Sequence, residues 1–123
     1  MRILVTGGAG FIGSNFVRLL KRERPDDEVV VIDALTYAGN LDNLDGLSIN
    51  FTQCSIHETL RIVTLMQSFQ IDTVVNFAAE SHVDRSILAP HTALDTNVMG
   101  TACLLEAARQ VPLTRFLHVS TDE

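Results

Sequence analysis

The stretch Gly7-Gly8-Ala9-Gly10-Phe11-Ile12-Gly13 constrains this chain more than any other. It follows a short apolar run, Ile3-Leu4-Val5. It opens a segment from Gly13 to about Arg24 in which Phe16, Val17 and Leu20 recur at helical spacing until Pro25 stops it. The glycines fall as Gly7-x-x-Gly10-x-x-Gly13. A tight turn needs backbone freedom at the first, a phosphate group approaches only where no Cβ stands, at the second, and the third lets the helix sit close to the sheet. The helix N-terminus then offers free N–H groups and partial positive charge to an anion. A glycine triplet alone says little. Here Asp33 closes the next apolar run, 20 residues after Gly13, which completes the strand, turn, helix and acid of a dinucleotide site. A carboxylate there accepts hydrogen bonds from an adenosine ribose and repels a 2′-phosphate, so the pattern points to NAD rather than NADP.

The remaining chain repeats the alternation. Val29-Val30-Val31-Ile32 is a continuous apolar strand of the kind buried on both faces of a parallel sheet. Residues 34–48 read as loop, and Ile49 to Cys54 as a weaker strand. Ile56 to about Gln70 carries Ile62, Val63, Leu65, Met66 and Phe69 along one helical face. Asp72 to Phe77 is a fourth strand, followed by the polar loop Glu80 to Ser86. After Pro90 a long helix is expected through Arg109, with Leu94, Val98, Ala102 and Leu105 spaced as core, and Arg115 to Val119 is a fifth strand. Strands joined by helical crossovers predict an α/β, three-layer Rossmann-type doubly wound parallel sheet of strand order 3-2-1-4-5, with the site where the first and fourth strands part. No repeat, linker or low-complexity tract interrupts it, and 123 residues suit one domain.

Composition narrows the function. Nine basic against 15 acidic residues, a net charge of −6, argue against a nucleic-acid binder. No run of 18 apolar residues exists to span a membrane, and the glycine-broken N-terminus does not read as a signal peptide. Cys54 and Cys103 make no disulfide framework and read as reduced thiols of a cytoplasmic protein. No metal site is assigned.

The Gly-x-x-Gly-x-x-Gly spacing resembles the extended short-chain dehydrogenase/reductase superfamily. Four further segments resemble its dTDP-glucose 4,6-dehydratase family: Asp33 to Leu41 with its Tyr-Ala-Gly-Asn, Phe77 to Ser86 with Glu-Ser-His-Val-Asp-Arg-Ser, Thr96 to Thr101, and Ser120-Thr121-Asp122-Glu123. The resemblance covers the whole chain. It implies a carbon–oxygen lyase: NAD oxidises sugar C4, water leaves across C5 and C6, and the hydride returns to C6, giving a 4-keto-6-deoxy sugar nucleotide. It makes Asp122 the acid at the C6 hydroxyl, Glu123 the base at C5, and Thr121 a hydrogen-bonding partner near O4. Two close carboxyls tend to titrate apart, which suits such a division of labour. The resemblance assigns the cofactor to Gly7, Gly10, Phe11, Ile12, Gly13, Asp33, Ala34, Leu35, Thr36, Ser55, Ile56, Phe77, Ala78, Ala79, Glu80, Ser81 and Thr96, with Ser81 and Thr121 also at the substrate. His82 reads as structural, Asp84-Arg85 as a loop anchor, and Asn97 as a bridge between backbone groups of its helix.

Two departures stand out. Where the family has Asp-Ile after the third strand, with the Asp on the adenine amine, this chain reads Ser55-Ile56; an acceptor remains, without charge or reach, and weaker NAD binding is expected. The superfamily's Tyr-x-x-x-Lys pair is missing: the single tyrosine is Tyr37, with Leu41 four residues on, and the single lysine is Lys21. The chain is therefore expected to be a partial NAD-binding domain, residues 1–123, lacking the substrate-binding C-terminal domain. Alone it is expected to be inactive and, with its fifth strand an uncovered edge, prone to associate. In the family, the helix of residues 91–109 faces the partner of a homodimer. The alternatives are another nucleotide-sugar epimerase or dehydratase of the superfamily, and a non-catalytic NAD-binding module.

Overall fold

The computed structural model describes residues 1–36, 39–79, 87 and 90–120, without the Thr92 side chain. Five strands form one parallel sheet: β1 (Arg2–Thr6), β2 (Glu28–Asp33), β3 (Asn50–Gln53), β4 (Thr73–Asn76) and β5 (Arg115–His118). Their order is β3-β2-β1-β4-β5, as the alternation of runs predicts. Register is set by apolar matching, with Val5 opposite both Val31 and Val75.

Because side chains alternate along a strand, each central strand feeds two cores. Ile3, Val5, Val29, Val31 and Val75 pack with Val17 and Leu20 of helix α1 (Phe11–Glu23). Leu4, Val30, Ile32 and Val74 pack on the other face with Ile62, Val63 and Met66 of α2 (Thr59–Ser68), and with Leu104 and Ala107. Both faces are dry, which is why these strands read as unbroken apolar runs.

Four expectations need correction. Helix α1 begins at Phe11, not Gly13, because Gly10 is extended (φ −76°, ψ 175°) and its carbonyl accepts the first helical bond, from Ser14 N–H at 2.9 Å. Helix α2 begins at Thr59, not Ile56. Ile56, expected at the cofactor, is buried and precedes the helix, in a turn closed by Ser55 N–H donating to Glu58 Oε2 at 2.7 Å. The loop of residues 34–48 holds a short 3₁₀ turn, Leu41–Leu44, started by Asn40 Oδ1 accepting from Asp42 N–H.

The long helix after Pro90 is the fourth case. It runs as α3 (Pro90–Leu94), a π-helical segment Asp95–Gly100, and α4 (Thr101–Arg109). Its buried face is Gly100, Leu104 and Ala107. The expected core stripe is not core: Leu94, Val98, Ala102 and Leu105 are exposed, as is Met99. The helix has two apolar faces, and the one carrying glycine wins the sheet. At Gly100 a Cβ would stand 2.7 Å from Ile56 Cδ1, so any other residue here would make the Ile56 side chain shift or push the helix away.

Candidate functional site

The carboxyl ends of β1, β2 and β4 converge on the glycine turn. Gly7 has φ +68°, and a Cβ on it would lie 2.6 Å from Ala78 N, so the turn packs against the exit of β4. At Gly13 a Cβ would fall 2.3 Å from the Gly7 carbonyl oxygen. Gly10 differs: the nearest atom to a Cβ there is Gly7 O at 3.5 Å, and the position opens outward. The amides of Phe11, Ile12 and Gly13 precede the helical ladder, and no side chain caps them or places an acid in the first turn. Beside them Phe11 and Ile12 are exposed although large and apolar. Uncapped donors, partial positive charge and two exposed apolar side chains suit a phosphate carrying an aromatic group.

Asp33 closes the turn from the β2 side. Its Oδ2 accepts from Ala9 N–H at 2.9 Å and its Oδ1 from Leu35 N–H at 2.8 Å, holding Leu35 at φ +56°. A carboxylate has about four acceptor positions, so two bonds leave capacity for ribose hydroxyls. The Ala9 carbonyl is bound in turn by Asn40 N–H (3.1 Å) and Asn43 Nδ2 (2.8 Å). Asn43 goes unnoticed in the sequence because it sits in a loop of Asp and Asn residues, inside the 3₁₀ turn Leu41–Leu44.

Asn76 also escapes sequence reading, hidden at the end of an apolar strand. It is fully buried. Its Oδ1 accepts from the Thr6 hydroxyl and from Ala78 N–H at 3.0 Å, and its Nδ2 donates to His118 Nδ1 at 3.0 Å. One amide thus ties β1, β4 and β5 at the ligand-facing edge.

The other expected residues are placed unevenly. Ala34 and Thr36 flank Leu35 beyond β2, and Thr36 is exposed. Phe77 is half-buried on the α1 side, its ring 5.1 Å from that of Phe16, so it supports the site from below. Ala78 is half-buried beside Gly7 and Ala79 is exposed. Ser55 is joined to the β2 end through its neighbour, as Cys54 N–H donates to the Asp33 carbonyl at 3.0 Å. The Ile56 side chain is committed to the core. Thr96 is half-buried within the π segment, where Asn97 also lies. Glu80, Ser81, His82, Asp84, Arg85, Thr121, Asp122 and Glu123 fall outside the described residues.

The electrostatics near Ser55 are local. Glu58 is held below the usual carboxylate range, first by the Ser55 N–H and then by the Cys54 thiol. Burial, assisted by Glu58, pushes the Cys54 thiol up to about 11, which removes it as a nucleophile at neutral pH.

The comparisons agree with this geometry. The family model described as GDP-mannose 4,6 dehydratase matches residues 4–123. A dTDP-glucose 4,6-dehydratase from Xanthomonas campestris is 52% identical over 98% of this chain and 37% of its own length. The low-salt glycan biosynthesis protein Agl12 of Haloferax volcanii is 51% identical over all of this chain and 40% of its own. The structure of DesIV, a dTDP-glucose 4,6-dehydratase from Streptomyces venezuelae with NAD and TYD bound, superposes with a TM-score of 0.92 at 48% identity, covering 100% of this chain and 40% of that one. A UDP-glucose-4-epimerase from Stenotrophomonas maltophila with bound NAD reaches 0.89 at 31% identity, covering 99% and 37%. The chain spans about two-fifths of the length of the curated relatives it matches.

Proposed function

Starting from a chain that belongs to the GDP-mannose 4,6 dehydratase family, we propose that residues 1–123 are the NAD-binding part of a nucleotide-sugar 4,6-dehydratase acting on dTDP-glucose. The observation that carries the cofactor reading is the Asp33 carboxylate bonded to the Ala9 amide beside the uncapped start of α1. Together they offer an anion site and a ribose acceptor a few residues apart. NAD, when bound, would supply the hydride chemistry, oxidation at sugar C4 and reduction at C6. The chain's own residues are assigned part of the rest, the proton of the C4 hydroxyl falling to the tyrosine of a Tyr-x-x-x-Lys helix that these residues do not include. Gly10 and the α1 amides hold the pyrophosphate, Asp33 orients the ribose, and Ser55 meets the adenine amine. Asp122 protonates the departing C6 hydroxyl, Glu123 removes the C5 proton, and Thr121 holds the sugar near O4.

The fold does not separate a dehydratase from an epimerase, since both superpose closely. Sequence does: identity is 48% to DesIV and 31% to the epimerase. The adjacent Asp122-Glu123 pair supplies the acid and base that elimination needs and epimerisation does not. The exposed Leu94, Val98, Met99 and Leu105 support a homodimer packed through this helix in the whole enzyme, and the reduced cysteines suit the cytoplasm. No described helix is long and apolar enough to cross a membrane.

The test is product formation from dTDP-glucose, read as the absorbance of the 4-keto sugar in base. A polypeptide in which this segment continues into a Tyr-x-x-x-Lys helix is expected to form it, and the 123-residue chain alone is not. Turnover by the 123 residues alone, or epimerised product from the longer polypeptide, would overturn the proposal.

A further inference from the structure

Ser55 does not stand alone. Its Oγ lies 2.8 Å from His57 Nδ1 and accepts the His57 main-chain N–H at 3.2 Å. The far side of the same ring faces the π segment, with His57 Nε2 at 3.0 Å from the Asp95 carbonyl oxygen and 3.2 Å from Asp95 Oδ1. We propose that the Asp95–His57 pair sets the polarity of the Ser55 hydroxyl, making it an acceptor that selects the 6-amino group of adenine over a 6-oxo purine. The inference rests on the reading that this chain binds NAD with Ser55 at the adenine edge.

The donors along this chain of contacts are forced. A carbonyl oxygen has no hydrogen to give, so Nε2 carries the ring proton and donates to Asp95. In a neutral imidazole the other nitrogen then has only a lone pair. The Ser55 hydroxyl, the group within bonding distance of that nitrogen, must donate to it. Its oxygen already accepts the His57 N–H, and what it has left is a lone pair. A serine that elsewhere rotates to suit either partner is here an acceptor only. An exocyclic amine satisfies it, whereas a 6-oxo group would set lone pair against lone pair. A carboxylate has this polarity without help, and the serine obtains it from the histidine. His57 is thus a positioning residue, acting through Ser55, and its ring lies close to Gly100, where a Cβ would stand 3.2 Å from His57 Cε1.

Two measurements test it. Long-range ¹⁵N–¹H NMR of the ring at pH 8, before any ligand, is expected to show the proton on Nε2; a proton on Nδ1 would overturn the inference whatever the chain binds. Titration with NAD and with nicotinamide hypoxanthine dinucleotide is expected to favour NAD by roughly three- to tenfold, the size of one net hydrogen bond. In His57→Phe the hydroxyl is free to turn, and the preference is expected to fall to within about twofold. Adding Ser55→Asp to that variant is expected to restore it, because a carboxylate needs no partner to accept. An undiminished preference in His57→Phe would overturn the inference while leaving the NAD reading intact. Failure of the wild-type chain to bind either dinucleotide would overturn both.

Discussion

Helix α1 and the helical run Pro90–Arg109 are both amphipathic, yet only one of them follows from its sequence pattern. In α1 the expected residues Val17 and Leu20 meet the sheet, the exposed Phe11, Ile12 and Leu19 lie off that face, and the glycine turn ahead of the helix fixes its approach. The later run carries an apolar residue on both sides. Leu104 and Ala107 are buried while Leu94, Val98 and Leu105 are exposed. Hydrophobic spacing finds a face but does not choose between two. The choice is made by closest approach, at Gly100 against Ile56.

The most demanding test of that contrast lies within α4. Leu104→Ala is expected to cost about 2–5 kcal/mol, since a fully buried leucine leaves a cavity between α4 and the sheet. Leu105→Ala, one residue on, is expected to stay within about 0.5 kcal/mol. Urea denaturation of the two variants checks the pair; equal losses would contradict docking through one face, and a larger loss in Leu105→Ala would mean that the helix docks through the other.

The next effect belongs to the glycine turn. Gly13→Ala places a methyl group against the Gly7 carbonyl and is expected to cost roughly 1–3 kcal/mol, with NAD binding lost because the turn itself must shift. A variant that is less stable but still binds NAD at full strength would separate the turn from the site.

Asp33→Asn comes third. One acceptor remains, but an amide NH₂ now meets a backbone N–H, at a cost of about 1–3 kcal/mol. Thermal melts and cofactor titration should report both the loss of stability and a narrower gap between NAD and NADP.

The smallest effect is on pH dependence. The Asp27 carboxyl is held below its ordinary range, chiefly by hydrogen bonds from Arg24 and the amino terminus, and Glu58 chiefly by the Ser55 amide. A carboxylate lowered in the folded state stabilises above its unfolded pKa, and that contribution fades as pH falls through the folded value. The urea midpoint is therefore expected to be level above about pH 5 and to drop below about pH 4. In Asp27→Asn the drop should be shallower.

What the sequence made legible was whatever depends on backbone geometry at fixed spacing. Gly7, Gly13 and Asp33 fall where the pattern predicts, because a turn, a helix start and a strand end leave few alternatives. The strand order followed from the same logic, since right-handed crossovers on a parallel sheet prune the topologies. What stayed hidden depends on contacts between distant segments. Asn76 joins three strands through its amide, Asn43 reaches back 34 residues to Ala9, and His57 reaches 38 residues to Asp95. None has a periodicity to betray it. The start of α2 was misplaced for a related reason: Ile56 matches the helical face in pattern, but Ser55 and Glu58 close a turn of their own before the helix begins.

Calorimetric titration of the chain with NAD and NADP decides whether the Asp33-closed glycine turn is an NAD site. The account predicts saturable binding of NAD and binding of NADP weaker by at least about tenfold, because the carboxylate that accepts ribose hydroxyls repels a 2′-phosphate. Equal binding of the two, or tighter binding of NADP, would contradict it.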